Sequence, residues 1–311
     1  MLTTDPSALK EVNTPALDIS VVIVNYSAGP LLLECLKRCL PQVGQVVVVD
    51  NASSECGIDL LESHFGGSLQ LQVIRNRSNL GFAAACNQGA NLCKGDYILF
   101  LNPDCMAAVG SIGLLRSALL SESSAGMAGG LILGPDGREQ AGGRRYVPTP
   151  WRSLVRALRL EALEHRWPKL FQNFNLYKQY LPEKTVSLEA ISGACTMIKR
   201  EAMEDVGTWD EGYFLHCEDL DMCMRYKQKG WLILFVPKAS FTHYRGACSR
   251  SRPIFVEWHK HKGMMRFYRK FFRHQYPGAL ILLVGLGVWL RFVTIAGMIF
   301  IKFFFPKDRP K

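Results

Sequence analysis

Short, nearly continuous apolar runs alternate with helical patterns in the first 101 residues of this 311-residue chain. The runs ISVVIVN (19–25), QVVVVD (45–50), LQLQVIR (69–75) and YILFL (97–101) are typical of central strands that are covered on both faces. Between them, residues 30–40, 56–65 and 82–93 have the pattern of crossover helices. This alternation predicts the α/β class, with a mostly parallel, doubly wound sheet whose ligand lies beyond the carboxyl ends of the strands.

Acidic and polar side chains follow the predicted strands at the points where those strands end. Carboxylates there are poorly explained by packing, because a strand core takes apolar residues and charged groups stay in water unless they are paired or bound to a metal. The sequence therefore predicts a site for a metal ion and a phosphorylated ligand. The residues concerned are Asp50 after VVVV, Asn102 and Asp104 after YILFL, Glu218, Asp219 and Asp221 after YFLHC, and His243 after LILFVPKASF.

The chain beyond residue 125 has a less regular pattern. Residues 146–186 are rich in aromatic side chains and Arg without a clear period, and they are predicted to form an insert or lid. Strand character returns over 188–199, and a helix over 218–229 is followed by a strand over 231–236. The predicted organisation is an N-terminal extension (1–17), an α/β domain (18–250) and a C-terminal tail (251–311).

The net charge of +10 is unevenly distributed. Residues 1–243 hold 23 Lys and Arg against 25 Asp and Glu, whereas residues 244–311 hold 14 against 2. The basic character therefore belongs to the tail. The ten cysteines include no C-x2-C pair, and the first residues lack the basic and apolar regions of a signal peptide, so reduced structural thiols are predicted.

An apolar stretch near the C-terminus predicts association with a membrane. Residues 279–305 carry only Arg291 and Lys302 as charges. As a helix they would extend about 40 Å, enough to cross roughly 30 Å of hydrocarbon. Arg291 would cost about 2.5–3.5 kcal/mol at the bilayer centre, and basic residues flank both ends, so an in-plane or re-entrant anchor remains an alternative to a span.

The segment before this stretch predicts a helix with an apolar stripe and a neighbouring basic stripe. Such a helix suits contact with anionic lipid headgroups. Nucleic-acid binding is another use of mixed basic and aromatic residues, but the adjoining apolar stretch favours lipid. The stripes are Met265, Tyr268, Phe272 and Tyr276, and Lys262, Arg266, Arg269 and Arg273.

Six segments in this order resemble glycosyltransferase family 2, in its rhamnosyltransferase-like branch. They are VVIVNY, VVVVDNAS, NLGFAAACNQG, GDYILFLNPD, the long stretch ISGACTMIKREAMEDVGTWDEGYFLHCEDLDMCMR and a later His. The resemblance covers roughly residues 19–244. It implies a GT-A fold and an inverting transfer of a sugar from a nucleotide diphosphate sugar, with dTDP- or UDP-sugars as donors.

The resemblance also implies donor-binding residues. Asp50 would accept the N3–H of uracil or thymine, with Asn25 and Tyr26 beside the base. The alternative for Asp50 is a turn closed by its own side chain. Asn79 and Gly81 open a helix whose free N–H groups could face the donor. Alone, that segment is only a turn between a strand and a helix.

By the same resemblance, Asn102 and Asp104 correspond to the D-x-D signature of the family, with Asn102 in the first acidic place and assigned to the donor. Asp104 would bind Mg²⁺ or Mn²⁺, and diphosphate oxygens would supply much of the remaining coordination. His243 would be a second ligand, which favours Mn²⁺ somewhat because imidazole is a softer donor. The alternative for His243 is a hydrogen-bonded scaffold role.

The acids of the predicted helix at 218–229 supply the candidate catalytic groups. Asp219 matches the base of the family, and Glu218 would hold the acceptor or orient that base. The alternative is a charged first turn stabilised by the helix dipole, with Asp221 paired to Arg225.

Trp209 and Gly193 are the candidates for the acceptor side. Trp209 offers a flat face on which a sugar could stack, or else it belongs to the core. Gly193 would let a ligand approach the backbone closely, or else it marks a bulge in a strand.

The sequence thus predicts a membrane-associated inverting glycosyltransferase at the cytoplasmic face of a bacterial inner membrane. The acceptor would be a surface polysaccharide or its polyprenyl-linked precursor, and the branch resemblance suggests L-rhamnose from dTDP-rhamnose. A sugar nucleotidyltransferase would carry a glycine-rich basic loop after the first strand, but VNYSAGPLL has no Lys or Arg. A membrane-tethered saccharide-binding protein without activity is the other alternative.

Overall fold

The computed structural model describes residues 16–54, 57–246 and 252–304. Most of the predicted N-terminal extension and the basic residues 307–311 therefore lie outside the described residues. The predicted boundary at residue 250 does too.

The first part of the chain forms the predicted parallel half-sheet. Strands β1 to β4 are Ala16–Asn25, Val43–Asp50, Leu71–Arg75 and Tyr97–Leu101, and helices α1 to α3 are Pro30–Cys39, Gly57–Phe65 and Phe82–Ala90. The strands lie in the order β3-β2-β1-β4, and all three pairings are parallel. Asn25 pairs with Asp50 in the register, so β1 and β2 end at the same edge of the sheet.

One strand does not fit the prediction of a central position. β3 is the edge strand, and its side chains are half-buried or exposed. Its sequence, LQVIR, alternates polar and apolar residues at its start, as a strand with one solvated face does. The sequence grouped it wrongly with the continuous apolar runs.

The sheet continues in the second half of the chain, where it becomes mixed. The order runs on from β4 as β10-β6-β11-β5, with β8 also paired to β11. β10 is antiparallel to both β4 and β6, whereas β11 is parallel to β6. The strands are β5 (Cys105–Ala107), β6 (Ala125–Leu133), β7 (Arg144–Arg145), β8 (Val186–Ser187), β9 (Ala190–Ile191), β10 (Cys195–Lys199) and β11 (Leu232–His243).

The helices of this half are α4 (Ser111–Ser121), α5 (Pro150–Ala157), α6 (Arg200–Val206), α7 (Glu218–Gln228), α8 (Pro253–Phe272) and α9 (Gly278–Phe304). The strand predicted over 188–199 is divided into β9 and β10, and β9 pairs with β7 outside the main sheet. The predicted insert holds only α5, a short 3₁₀ turn and irregular chain. The predicted α/β fold is confirmed, while its parallel character is limited to the first half and to the β6–β11 pair.

Apolar side chains fill both faces of the sheet, and the described cysteines follow the prediction of structural thiols. Eight cysteines are described, and all are free and buried. Burial raises the pKa of the Cys86 thiol well above its usual range. Such thiols behave as small apolar side chains.

The helix that was predicted to face lipid is instead part of the core. Met265, Tyr268 and Phe272 of α8 are buried within one of the two core clusters. Arg266 is 45% exposed and lies 2.8 Å from a carboxylate oxygen of Asp210, so its charge is paired at the protein surface. The assignment of Met265, Tyr268 and Phe272 to lipid contact is therefore wrong, and that of Arg266 stays a prediction.

Helix α9 packs along α8 and leaves one face open. The rings of Trp258 and Trp289 lie 5.0 Å apart, and a Cβ placed on Gly285 would lie 3.1 Å from Met265 Cε. The segment from Gly278 to Lys302 is long and apolar enough to cross a membrane, with a mean hydropathy of 2.2. Its open face carries Leu282, Leu283, Leu286, Leu290 and Val293.

Candidate active site

Contacts at the carboxyl edge of the sheet bring the predicted site residues together from distant parts of the chain. Asn102 N–H donates to Ala194 O (3.0 Å), which joins the end of β4 to the start of β10. Gly193 N–H donates to Asp219 Oδ2 (3.2 Å), which joins that same corner to α7. His243 pairs with Cys105 in the register of β11 and β5. The acids therefore share one rim rather than unrelated surfaces.

Asp104 and His243 lie side by side, although 138 residues separate them in the sequence. His243 Nε2 is 3.2 Å from Asp104 Oδ1, and both side chains are nearly buried. Tyr244 N–H donates to Asp104 O (2.8 Å), which fixes the end of β11 against this loop. The predicted proximity of these two residues is confirmed.

Gln140 orients the imidazole of His243, a role that sequence analysis did not predict. His243 Nδ1 lies 3.0 Å from Gln140 Oε1, and Gln140 Nε2 donates to His243 O (2.6 Å). A proton on Nδ1 that is donated to Gln140 leaves the lone pair of Nε2 facing Asp104. Partners of this kind fix the tautomer of a metal-binding imidazole.

Asp104 and His243 fit a divalent ion in the chemistry of their donor atoms. Neighbouring octahedral ligands with bonds of about 2.1 Å lie about 3 Å apart, close to the observed Oδ1 to Nε2 separation. The described residues contain no group of three or more His, Cys, Asp or Glu that could hold a metal. An ion bound here would therefore need further oxygen ligands, as a diphosphate provides.

Asp50 is buried at the end of β2 and already closes a turn. Its Oδ1 accepts hydrogen bonds from Asn25 Nδ2 (2.7 Å) and Ser53 Oγ (2.5 Å), and its Oδ2 accepts from Ser53 N–H (3.2 Å). The turn alternative is therefore observed. Oδ2 keeps capacity for a second donor, and the role of Asp50 in binding a base stays a prediction, as do those of Asn25 and the half-buried Tyr26 that follows it.

Two of the backbone N–H groups at the start of α3 are already hydrogen-bonded within the protein. Gly81 N–H donates to Asn79 Oδ1 (2.9 Å), and Phe82 N–H donates to Phe214 O (2.8 Å). Gly81 has a φ of 89°, and a Cβ there would lie 2.8 Å from Phe214 O. Asn79 and Gly81 thus hold α3 against the loop before α7. The N–H groups of Gly81 and Phe82 are therefore not available to the nucleotide sugar. The side chain of Asn102 has no hydrogen bond within the described chain, so its donor role stays a prediction.

Asp219 is held by three donors in the first turn of α7. Its Oδ2 accepts from Gly193 N–H and makes a short ion pair with Arg145 Nη2, while Oδ1 accepts from Leu220 N–H (2.8 Å). About 17% of the side chain is exposed, so a ligand can reach it. A Cβ on Gly193 would lie 3.1 Å from Asp219 Cβ. Gly193 therefore serves the positioning of Asp219, and its acceptor role stays a prediction.

Arg145 is a site residue that the sequence did not reveal. It belongs to β7, and its side chain is largely buried beside Asp219. Its Nε is buried without a hydrogen-bond partner among the described residues. An unpaired buried donor is costly, so this guanidinium has an unused N–H that an anion could take.

The loop before α7 holds the acids in place through backbone strain. His216 and Cys217 have φ values of 69° and 70°, a region that residues with a Cβ rarely adopt. Gly263 of α8 lies beneath them, and a Cβ there would be 2.7 Å from His216 O. Helix α8 therefore supports the turn that presents Glu218 and Asp219.

Glu218 is buried and uncharged at neutral pH. Burial, reinforced by the negative charge of Asp219, raises the pKa of Glu218 to about 8. Its Oε2 has no hydrogen-bond partner among the described residues. A neutral carboxyl beside a charged one can donate a hydrogen bond, which suits orientation of a neighbour better than proton abstraction.

Glu218→Gln is expected to stabilise the protein increasingly as the pH rises. In the wild type, the unfolded chain loses this proton above pH 4.5 while the folded protein keeps it to about pH 8, so the free energy of unfolding falls over that window. The substitution should therefore add on the order of 1–3 kcal/mol to the free energy of unfolding at pH 8, because one unit of pKa shift is worth about 1.4 kcal/mol. Urea unfolding between pH 5 and pH 8 measures it. The exposed Glu204→Gln is the control, and an equal pH-independent offset in both variants would contradict the buried neutral acid.

Trp209 is a core residue rather than a platform for sugar. Its ring is buried and packs edge-on against Phe82 and Phe100, at centroid distances of 5.8 and 5.1 Å. No face of the indole is open, so the predicted stacking role is wrong. Asp221 has the structural role that the sequence allowed, since its Oδ1 accepts from Arg225 Nε at 2.7 Å.

The assembled edge has the groups that a transfer from a phosphorylated donor needs. A reachable carboxylate, Asp219, can take a proton from an attacking hydroxyl. Arg145, and a divalent cation that Asp104 and His243 would hold, can offset negative charge on a departing diphosphate.

Comparisons with known proteins agree with this chemistry. The family described as Glycosyl transferase family 2 matches residues 20–207, and Glycosyl transferase family group 2 matches residues 166–306. An N-acetylglucosaminyl-diphospho-decaprenol L-rhamnosyltransferase of Mycobacterium tuberculosis is 29% identical over 241 residues, which are 73% of this chain and 76% of the relative.

Two solved structures share the fold. A mannosyltransferase from Pyrobaculum calidifontis in complex with GDP-Man and Mn²⁺ has a TM-score of 0.56 at 16% identity, over 92% of this chain and 76% of that one. GalNAc-T7 with UDP, GalNAc and Mn²⁺ has a TM-score of 0.55 at 20% identity, over 74% of this chain and 43% of that one. The predicted GT-A fold and enzyme class are confirmed, and the chain belongs to glycosyltransferase family 2.

Proposed function

We propose that this glycosyltransferase moves a sugar, with inversion, from a nucleoside diphosphate sugar to a polyprenyl-diphosphate-linked saccharide. The name of the mycobacterial relative supports L-rhamnose as the sugar and lipid-linked N-acetylglucosamine as the acceptor. The observation that carries the proposal is the common rim on which Asp219 faces Gly193 and Arg145 while Asp104 faces His243.

The residues divide between the two substrates. Asp219 takes the proton of the acceptor hydroxyl, and Glu218, as a neutral donor, orients the groups around it. Asp50, with Asn25 and Tyr26, binds the base of the nucleotide. Inversion follows because a base on the acceptor side allows a single in-line displacement.

Asp104 and His243 hold Mg²⁺ or Mn²⁺, which supplies positive charge against the diphosphate. Asn102 lies beside them and contacts the donor. Arg145 is paired with Asp219. Anionic diphosphate oxygens compete for this guanidinium and its unused Nε, which frees the carboxylate to act as a base.

Transfer assays with the full chain test the proposal. The assay supplies dTDP-rhamnose, UDP-N-acetylglucosamine or UDP-galactose with Mn²⁺ and a prenyl-diphosphate-linked N-acetylglucosamine. Transfer from one donor with inverted anomeric configuration is expected, and the same donor should raise the melting temperature. Formation of a nucleotide sugar and pyrophosphate from a nucleoside triphosphate and a sugar 1-phosphate would indicate nucleotidyltransfer instead. Absence of any product would support a non-catalytic binding protein.

Helix α9 attaches the enzyme to a membrane in this proposal, and it lies in the plane of the bilayer. α8 runs antiparallel beside it, from the Trp258 and Trp289 contact to the Met265 and Gly285 contact. A perpendicular α9 would carry the charged flank of α8 into hydrocarbon, which is costly. Because nucleotide sugars are cytosolic donors, the cytoplasmic face of a bacterial inner membrane is the proposed location.

Replacing Leu282, Leu286 and Leu290 with Gln is expected to weaken binding to phospholipid vesicles by at least about 100-fold. These side chains are 61–69% exposed on the open face of α9. Full burial of one Leu is worth about 1.5–3 kcal/mol, so even partial insertion of three has a large effect. Sedimentation with vesicles measures the change.

The control replaces three leucines elsewhere that are comparably or more exposed, Leu17, Leu69 and Leu120, at 80%, 101% and 63%. Vesicle binding of this variant should equal that of the wild type. A similar loss in both variants would mean that general surface hydrophobicity, and not α9, drives the association.

A further inference from the structure

A cavity of about 670 Å³ lies between the insert and helices α7 and α8. No role in the reaction described above uses it. The insert contributes Trp151 and Lys169 to its wall, α7 contributes Lys227, and the end of α8 contributes Phe272. It is large enough for a sugar ring or a pair of phosphoryl groups.

The cavity has an excess of positive charge. Arg152 is paired with Glu189 at 2.7 Å. Lys169 and Lys227 also line the wall and have no ion pair within the described chain. Burial alone would raise the pKa of Glu189, but the hydrogen bonds from Arg152 and from Val147 N–H, together with the charges of Arg152 and Lys227, lower it overall. One carboxylate therefore faces three cations, and the excess suits an anion.

The cavity lies close to the candidate base. Lys227 is eight residues beyond Asp219 on α7, about 12 Å along the helix. Val147, also in the wall, follows two residues after Arg145, which contacts Asp219. A saccharide whose hydroxyl reaches Asp219 could therefore place a phosphorylated anomeric end in the cavity.

The cavity also adjoins the membrane-facing helix. Tyr276, in its wall, lies in the turn that joins α8 to α9. Tyr268 OH of α8 donates to Ser153 Oγ of α5 (2.7 Å), and α5 also contacts α9. A prenyl chain held at the open face of α9 would thus have its polar end at the mouth of the cavity.

We infer that this cavity binds the diphosphate of the lipid-linked acceptor, with Lys169, Lys227 and Arg152 as the anion-binding cations. Trp151 and Phe272 then enclose the first carbons of the prenyl chain or the sugar face. The inference rests on the proposed function, because it assigns a position to the acceptor of that reaction. It makes the insert a determinant of acceptor choice rather than a passive cover.

The test compares two acceptors in neutral detergent with the full chain. One is farnesyl-diphosphate-linked N-acetylglucosamine, and the other is an octyl N-acetylglucosaminide without phosphate. In the wild type, the diphosphate acceptor should have the lower KM. Lys169→Gln with Lys227→Gln should raise that KM about 10- to 100-fold, since a charge-assisted contact to phosphate is worth about tenfold or more. The octyl acceptor and the donor should keep their KM values.

The matched control is Lys178→Gln with Lys229→Gln, which removes one Lys from the insert and one from the end of α7. Lys229 pairs with Asp205 outside the cavity. The KM of this control variant for both acceptors should equal that of the wild type. The same KM increase in this variant would mean that overall charge, and not the cavity, recruits the acceptor.

Two further outcomes would overturn the inference without touching the proposed function. One is a wild type that uses both acceptors with equal KM. The other is a cavity variant that keeps its KM in detergent but binds phosphatidylglycerol vesicles more weakly, which would assign the lysines to bilayer headgroups. Failure of the wild type to transfer to either acceptor would instead contradict the proposed function itself.

Discussion

Asp219→Asn is expected to lower kcat by about 10³-fold, because a positioned general base contributes about 10²- to 10⁴-fold to such reactions. The amide keeps the size of the carboxylate but cannot take a proton. Donor binding should not weaken, since Asp219 contacts Gly193, Arg145 and Leu220 rather than the predicted nucleotide residues, and its loss leaves the Arg145 guanidinium free for the diphosphate. Steady-state transfer assays and calorimetric titration of the donor measure the two quantities separately.

The variant also leaves Arg145 without its partner, so stability must be measured alongside activity. Adding Arg145→Gln removes the stranded cation and should recover the melting temperature without recovering turnover. Glu211→Gln, an exposed acid near the same loop, should retain wild-type kcat. Unchanged turnover in Asp219→Asn would remove it as the base, and a recovery of turnover by the second substitution would mean that the loss came from instability.

The first half of the fold could be predicted because its strands leave little choice. A short, β-branched and nearly continuous apolar run such as QVVVVD is typical of a strand in a sheet that is covered on both faces. Tyr97–Leu101 was predicted with its observed bounds. β3 was wrongly predicted to be central, because so short a sequence does not show whether a strand pairs with one neighbouring strand or with two.

The second half could not be read in the same way. β10 lies between β4 and β6 and runs antiparallel to both, an arrangement that depends on where the chain returns rather than on local pattern. The run at 188–199 was continuous in sequence, yet Ser192 to Ala194 leave the strand to form the corner that meets Asn102 and Asp219. Contacts between residues so far apart in the sequence leave no periodic pattern in either segment, so they could not be predicted.

The site shows the same division. Asp104 and His243 could be paired because motif order resembles a family, not because any spacing required it. Arg145 was missed since adjacent arginines in GGRRYVP are typical of a surface turn, and Gln140 was missed because a single Gln in such a segment carries no signal. Trp209 was assigned wrongly because its partners, Phe82 and Phe100, are more than 100 positions away in the sequence.

Helix α8 illustrates why an amphipathic pattern does not predict whether the apolar face contacts lipid or the protein core. Its stripe of Met265, Tyr268 and Phe272 has the period that either lipid or a protein core would select. The burial of these three side chains in a core cluster decides the matter, while Arg266 and Lys270 pair with Asp210 at its edge. Burial would raise the pKa of Asp210, but Lys270 and Arg266 outweigh it and lower the value to about 2.

Asp104→Ala is expected to weaken metal-dependent donor binding by at least about 100-fold, because loss of a mere partner of a metal ligand already costs about 10- to 100-fold. Titration of the nucleotide sugar in the presence of Mn²⁺ or Mg²⁺ measures it. Binding of the donor to the wild type should fall to a similar level in EDTA. Full transfer activity in EDTA would refute a metal at this site.

The rank order of three variants tests the geometry rather than the metal alone. Asp104→Ala removes a carboxylate ligand, His243→Ala removes an imidazole ligand, and Gln140→Ala removes only the group that orients the imidazole. The loss should therefore decrease in that order, with about tenfold for Gln140→Ala. Asn175→Ala, a buried amide away from this pair, is the control for general disturbance. A Gln140→Ala enzyme as impaired as Asp104→Ala would mean that the loop, and not an ion between Asp104 and His243, holds the donor.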